Sequence, residues 1–185
     1  MKFCSQCAAP VHFLVPAGDN RERFVCQQCD TIFYDKPRIV AGTIPIGQDQ
    51  VLLCRRAIQP RRGYWTLPAG FMENGESTEQ AASRETWEEA CAKVELGPLF
   101  SMITVPHIKQ VHIFFLAQLS SKDFAAGEES LEVALFDEQD IPWQELAFAT
   151  VGQSLQRYFA DRQQHKIITP HVFDISPQQA LVQHI

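Results

Sequence analysis

Glu85, Glu88 and Glu89 stand at i, i+3 and i+4 in a stretch, 78–90, that contains neither glycine nor proline. On a helix this spacing brings three carboxylates to one face, within reach of a common point. Like charges so placed repel by roughly a few tenths of a kcal/mol per pair. A bare cluster of this kind is most often a solvated surface, here with Glu89 paired to Lys93. The surroundings argue otherwise: Arg84 adjoins the cluster, a loop carrying Gly70 and Gly75 precedes it, and the apolar segment 64–70 leads into that loop. Carboxylates on a rigid face approached by loop backbone make an oxygen-rich site for a hard divalent cation such as Mg²⁺ or Mn²⁺. Such ions pair with phosphates.

The chemistry requires the helix. Ser77 with Gln80 three residues on has the form of a capping box, and Ala, Glu, Gln and Arg dominate the residues that follow. A second constellation lies at the amino end: Cys4-x-x-Cys7, eighteen intervening residues, then Cys26-x-x-Cys29. Paired motifs of this form predict a structural Zn²⁺ held by four thiolates in a ribbon. Disulfides are the competing reading, and the absence of a leader-like run before Cys4 points to a reducing compartment. His12 could substitute as a ligand, although four cysteines suffice. A module of about 35 residues buries too small a core to stand alone, so metal would supply much of its folding free energy.

Gly70, Glu76, Arg84-Glu85 and Glu88-Glu89 together resemble the signature box of the Nudix hydrolases. Two positions depart from it: the second signature glycine falls at Cys91, and an apolar position falls at Thr86. A glycine would suit a left-handed helix end, so Cys91 implies a different or slightly strained exit. The resemblance implies an α/β/α sandwich with a mixed sheet. It implies Mg²⁺ or Mn²⁺ at Glu85, Glu88, Glu89 and the Ala69 carbonyl, and an ion pair of Glu76 with Arg84 that supports the loop. The implied reaction is hydrolysis of a nucleoside diphosphate-linked compound at its diphosphate.

A general base from outside the box is sought in 127–136, where Glu129 matches best and Glu132 second, with an acidic surface loop as the alternative. For substrate contact the candidates are Arg55 and Arg56, since guanidinium forks suit phosphate, and Trp65, which could stack on a base but also suits a core. Cys54 and Cys91 read as buried structural thiols rather than nucleophiles. His107 and His112 could line a cleft but more simply decorate a loop and a strand.

The elements that must position these groups follow from patterning. Segments 38–46 and 50–56 read as strands about a turn at 47–49, and 93–105, 108–119 and 131–136 are rich in β-formers. A second helix is predicted over 150–164, with Val151, Leu155, Tyr158 and Phe159 at helical spacing. The predicted organisation is a zinc ribbon at 1–35, a catalytic domain at 36–165, and a carboxyl-terminal extension at 166–185 that could add a strand, swap to a partner or stay mobile. With 185 residues, 45% hydrophobic content and a net charge of −6, the chain suits a small cytoplasmic enzyme and not a general binder of nucleic acid or anionic membrane.

Over nearly its whole length the chain is similar to FAD- and ADP-ribose-hydrolysing Nudix enzymes of plant chloroplasts. A ribbon before a Nudix domain also resembles the NADH pyrophosphatases, but their Ser-Gln-Pro-Trp-Pro-Phe-Pro run is replaced by 100–106, Phe-Ser-Met-Ile-Thr-Val-Pro. FAD, cut to FMN and AMP, or ADP-ribose is therefore the expected small-molecule substrate. NADH and nucleoside triphosphates are the enzymatic alternatives, and a silent ligand sensor using its ribbon on nucleic acid is the non-enzymatic one. Related enzymes are often dimers, so a homodimer stays open.

Overall fold

The computed structural model describes residues 1–166 and 169–181, and the chain divides into two compact units, Met1–Pro37 and Arg38–Ile185. The first is an antiparallel meander of β1 (Val11–Leu14), β2 (Arg23–Cys26) and β3 (Ile32–Phe33). Phe13 packs on Phe24 across β1 and β2 with ring centroids 5.0 Å apart. Little else apolar is gathered there, as expected for so short a module.

The second unit is built on one mixed sheet. Its strands are β4 (Arg38–Gly47), β5 (Gln50–Arg56), β6 (Trp65–Thr66), β7 (Ala69–Phe71), β8 (Val94–Val105), β9 (Gln110–Leu119), β10 (Ser130–Phe136) and β11 (His171–Asp174). The order is β10-β5-β4-β9-β8-β11, with β4 parallel to β9 and β11 parallel to β8. Helix α1 (Thr78–Ala90) covers one face and α2 (Ala149–Gln163) the other. Alternation along the strands supplies both faces. On β9, Phe114 and Leu116 enter the large core with Val151, Leu155 and Phe159 of α2, while Phe115 packs with Ala41 against Ala81 and Ala82 of α1. The small buried face of α1 lets that helix sit close to β4.

One irregularity creates the cleft. β4 and β5 pair only beside their connecting turn, at Ile46–Val51 and Gly47–Gln50. Beyond it they part: β7 pairs with β4 at Val40–Gly42, and β6 pairs with β5 at Cys54 and Arg55. The loop carrying Gly70 thus runs through the opening between two core strands.

The predicted strands coincide with observed ones to within a residue or two, and the second helix is shifted by one. Of the options open for the tail, the added strand is the one observed: β11 lies beyond residue 165 and joins the sheet beside β8, and Ile175 after it is buried. It is part of the second unit rather than an appendage. Ile167 and Ile168 fall outside the described residues.

Candidate active site

Helix α1 starts where the sequence predicts. Ser77 Oγ accepts the Gln80 N–H at 3.2 Å, and Gln80 Oε1 accepts the Ser77 N–H at 2.8 Å, completing the capping box. The loop before it is pinned by one arginine. Arg84 donates from Nε and Nη2 to the two Glu76 oxygens at 3.1 and 2.7 Å, and from Nη2 to the Phe71 carbonyl at 3.2 Å. Arg84 holds the Glu76 carboxyl below the usual carboxylate range.

Glu85 packs against Gly70 so closely that a Cβ there would lie 2.2 Å from its Oε2. Glu89 is 6% exposed, and the Ala69 N–H donates to its Oε2 at 3.3 Å. Burial, then the Glu85 charge, pushes the Glu89 carboxyl up to about 8, against the opposing pull of the Ala69 N–H and Arg56. Burial also raises Glu85, although Arg84 counters it. A buried and a half-buried carboxylate that repel each other are costly unless a cation joins them. The donor set therefore fits a hard divalent ion. Among the described residues, the four cysteines are the group of three or more ligating side chains gathered as if around one ion. Two of the glutamates are engaged by the arginine: Arg84 Nη1 donates to Glu85 Oε1 at 2.7 Å and to Glu88 Oε2 at 2.9 Å.

These glutamates open onto a cavity of about 1090 Å³ whose wall includes Ala69, Arg56, Glu129 and Phe148. Glu129 reaches that wall through a strap. Gly127 N–H donates to Glu89 O at 3.0 Å and Ala125 N–H to Ala90 O at 2.9 Å, satisfying carbonyls that the end of α1 leaves without helical partners. A Cβ on Gly127 would fall 1.7 Å from Glu88 O, so glycine is required by the close approach.

In the amino-terminal unit the four cysteines are free of disulfides. Sγ separations are 3.6 Å for Cys4–Cys29 and 3.5 Å for both Cys7–Cys26 and Cys7–Cys29. A tetrahedron of thiolates with Zn–S near 2.3 Å has edges of about 3.8 Å, so the cluster fits that ion. The residue after each motif, Ala8 (φ 61°) and Asp30 (φ 56°), is left-handed, which folds the two turns alike.

A family model described as the NUDIX domain matches residues 36–160, and one for the zinc ribbon of the Nudix N-terminal type matches residues 2–35. The chain belongs to the Nudix hydrolase family. A NUDIX hydrolase from Nitrosomonas europaea, known as a crystal structure, is 49% identical with a TM-score of 0.91, covering 95% of this chain and 99% of that one. Two curated relatives are named NAD-capped RNA hydrolase NudC. That of Chromobacterium violaceum is 31% identical over 164 residues, 87% of this chain and 59% of the relative. That of Edwardsiella ictaluri is 31% identical over 134 residues, 72% of this chain and 50% of the relative. The chain thus spans little more than half the length of these curated relatives. An ADP-ribose pyrophosphatase from Streptococcus suis, 19% identical with a TM-score of 0.59 over 76% of this chain and the whole of that one, shares the fold.

Both departures from the Nudix box have structural answers. Thr86 is fully buried and its hydroxyl donates to Ala82 O at 2.7 Å while also meeting Thr43 Oγ1 at 2.7 Å. Cys91 ends α1 at φ 47° with its N–H on Trp87 O at 2.8 Å, adopting the left-handed turn despite its Cβ.

Three sequence candidates are corrected. Trp65 is 7% exposed and meets Phe136 edge-on at 4.9 Å between centroids, so it is core and not a base platform. Arg55 donates to Gly63 O at 2.9 Å and pairs with Glu132 at 3.5 Å, which occupies both residues away from the cavity wall. Only Arg56 of the two arginines lines it. His107 and His112 both line it; His112 is buried on β9, and burial alone pushes its imidazole down to about 4. Lining residues missed from sequence include Phe148, Thr150 and Ile175, and the strap role of Gly127 was missed as well. A glycine just before an acidic pair was the one available signal for the strap; nothing local marked the others.

Proposed function

We propose that this Nudix hydrolase cleaves the diphosphate of a dinucleotide-type compound with the help of a divalent cation. The observation that carries the reading is the pair of mutually repelling carboxylates, half-buried Glu85 and buried Glu89, facing a cavity of about 1090 Å³. That volume lies at the upper end for small-molecule sites and suits a two-nucleoside substrate. In this reading Glu85 and Glu89, with Glu88 and the Ala69 carbonyl, hold the cation. Bound there, such an ion neutralises phosphate charge and lowers the pKa of an attacking water. Glu76 and Arg84 fix the loop so that Ala69 stays beside Glu89. Glu129 is positioned to accept the water's proton, because the Gly127 strap holds it at the cavity while Glu132 is engaged by Arg55. Zn²⁺ on Cys4, Cys7, Cys26 and Cys29 keeps the ribbon folded.

Among dinucleotides, NAD(H) ranks ahead of FAD and ADP-ribose, because the curated relatives carry an NAD-linked activity in their names. The same names favour an NAD-capped RNA end as a second reading. The sensor alternative is disfavoured because every box glutamate is present.

The test is chromatography of products from NADH, NAD-capped RNA, FAD, ADP-ribose, a diadenosine polyphosphate and an oxidised nucleoside triphosphate, with and without Mg²⁺ or Mn²⁺. Metal-dependent turnover of at least one, lowered about a hundredfold or more in Glu85→Gln and Glu89→Gln, is expected. Turnover of none would end the enzymatic reading. Glu129→Gln should slow turnover by about 10²–10⁴-fold, whereas Glu132→Gln should stay near wild type. The reverse order would reassign the base.

A further inference from the structure

The wall of the cavity that holds the glutamates contains a feature that neither the Nudix box nor the ribbon explains. Ala147, Phe148, Ala149 and Thr150, the entry and first turn of α2, all line the cavity. This helix begins without a side-chain cap: its N-cap position is Phe148, which can accept no N–H. The N–H groups of Ala149 and Thr150, at the first two helical positions, have no helical acceptor. Thr150 is itself 4% exposed, and its Oγ1 is buried without a hydrogen-bond partner. Buried hydroxyls are ordinarily paired. Beside them Arg56, also on the cavity wall, lies with its guanidinium 5.1 Å from the centre of the Phe148 ring. Arg56 is also near enough to Glu89 to lower its pKa through charge, so it adjoins both the carboxylate cluster and the helix end.

We propose that the amino-terminal turn of α2, with Thr150 and Arg56, is an anion subsite for the substrate phosphate that the glutamate-held cation does not take. Helix amino termini bind phosphate through oriented N–H groups and the positive end of the helix dipole. Phe148 in place of Ser, Thr, Asp or Asn leaves that end open to a ligand instead of closing it with the chain's own oxygen. The diphosphate then bridges the cavity, one phosphate toward α1 and the other on α2. The inference rests on the proposed hydrolysis for the identity of the ligand, but its test requires no turnover.

Inorganic phosphate is titrated into the full-length Glu85→Gln/Glu89→Gln protein without Mg²⁺ and followed by ³¹P NMR. The double substitution dismantles the cation site, so the readout reports the helix end alone. Saturable, salt-sensitive binding is expected. Thr150→Val should weaken it about three- to tenfold, the worth of one hydrogen bond, and Thr150→Ser should retain it. Ala149→Pro provides a second variant: proline is tolerated at the first helical position and removes only the N–H, and Phe148 is already extended at φ −139°, ψ 142° as a residue before proline must be. It should keep the thermal midpoint and weaken binding by a similar factor. Absence of saturable binding, or an affinity in Thr150→Val and Ala149→Pro unchanged from that of the parent double variant, overturns the subsite. Binding that behaves as expected in a protein that hydrolyses nothing would leave the subsite standing and remove the hydrolytic reading.

Discussion

Replacing Thr86 by Val should destabilise the second unit more than replacing its partner Thr43 by Val, although the two hydroxyls share one hydrogen bond. Each hydroxyl has a single proton. Thr86 spends its proton on Ala82 O, so in the 2.7 Å contact between the two Oγ1 atoms Thr43 must be the donor. Both residues are fully buried. Thr86→Val therefore strands the Thr43 O–H with no acceptor, at a cost of about 1–3 kcal/mol. Thr43→Val leaves the Thr86 proton on Ala82 O and forfeits one ordinary hydrogen bond, about 0.5–1.5 kcal/mol. In the double variant two apolar groups of matching shape meet, so it should be more stable than Thr86→Val alone. Urea unfolding followed by tryptophan fluorescence is the assay. Trp65, Trp87 and Trp143 all lie in the second unit, so the signal excludes the ribbon. Midpoints should fall in the order wild type, Thr43→Val, Thr86→Val at constant slope. Equal losses for the single variants, or a double variant whose loss is their sum, would refute the assigned proton direction and with it the reason a threonine is tolerated in the box.

Three further outcomes follow from the same geometry. Gly127→Ala places a Cβ 1.7 Å from Glu88 O; it should detach the strap, lower turnover with any substrate and raise hydrogen exchange at Gly127 and Ala125, measured by mass spectrometry. Cys91→Gly relieves a left-handed residue that has a Cβ, an arrangement costing about 1–2 kcal/mol, offset in part by about 0.4–1 kcal/mol of unfolded-chain entropy, so a scanning calorimeter should record a small rise in melting temperature. The third concerns pH: His171 Nε2 lies 2.6 Å from Asp161 Oδ2, and this hydrogen bond above all lowers the Asp161 pKa from its usual 3.8. A carboxylate depressed by folding adds stability above its unfolded pKa and loses it as pH falls through the lower folded value. The stability gap between wild type and Asp161→Asn should accordingly be full near pH 6 and shrink below about pH 4, as read from denaturation midpoints. A gap that widens on acidification would contradict the pairing.

Much of this protein was legible in one dimension because the interactions concerned are short in sequence. The capping box at Ser77 and Gln80 and the single face of Glu85 and Glu89 arise within about one turn, while the bidentate Glu76–Arg84 support, eight residues apart, was implied by the family resemblance. The two cysteine pairs belong with them, since their spacing alone defines the two turns that meet. Alternating and helical patterns placed the strands and α2 to within a residue or two, because burial imposes those periods on every element that covers a core. β11 was only one of several options for the tail, since four residues without alternation carry little signal.

What the chain alone could not decide is which of its similar residues share a space. Arg55 and Arg56 are neighbours with the same chemistry, yet alternate sides of a strand send one to Glu132 and the other to the cavity. Glu129 and Glu132 differ in the same way: a strap on the carbonyl end of α1 carries the first to the site, and strand pairing carries the second to Arg55. Trp65 became core when β4 and β5 parted and the 65–71 segment filled the gap. The gathering of the glutamates on one helix face was local information, while the helix end that shares their cavity, some sixty residues on, meets it only because α2 packs on the sheet. Spacing determines what a segment can offer; packing between distant segments decides what it is offered to.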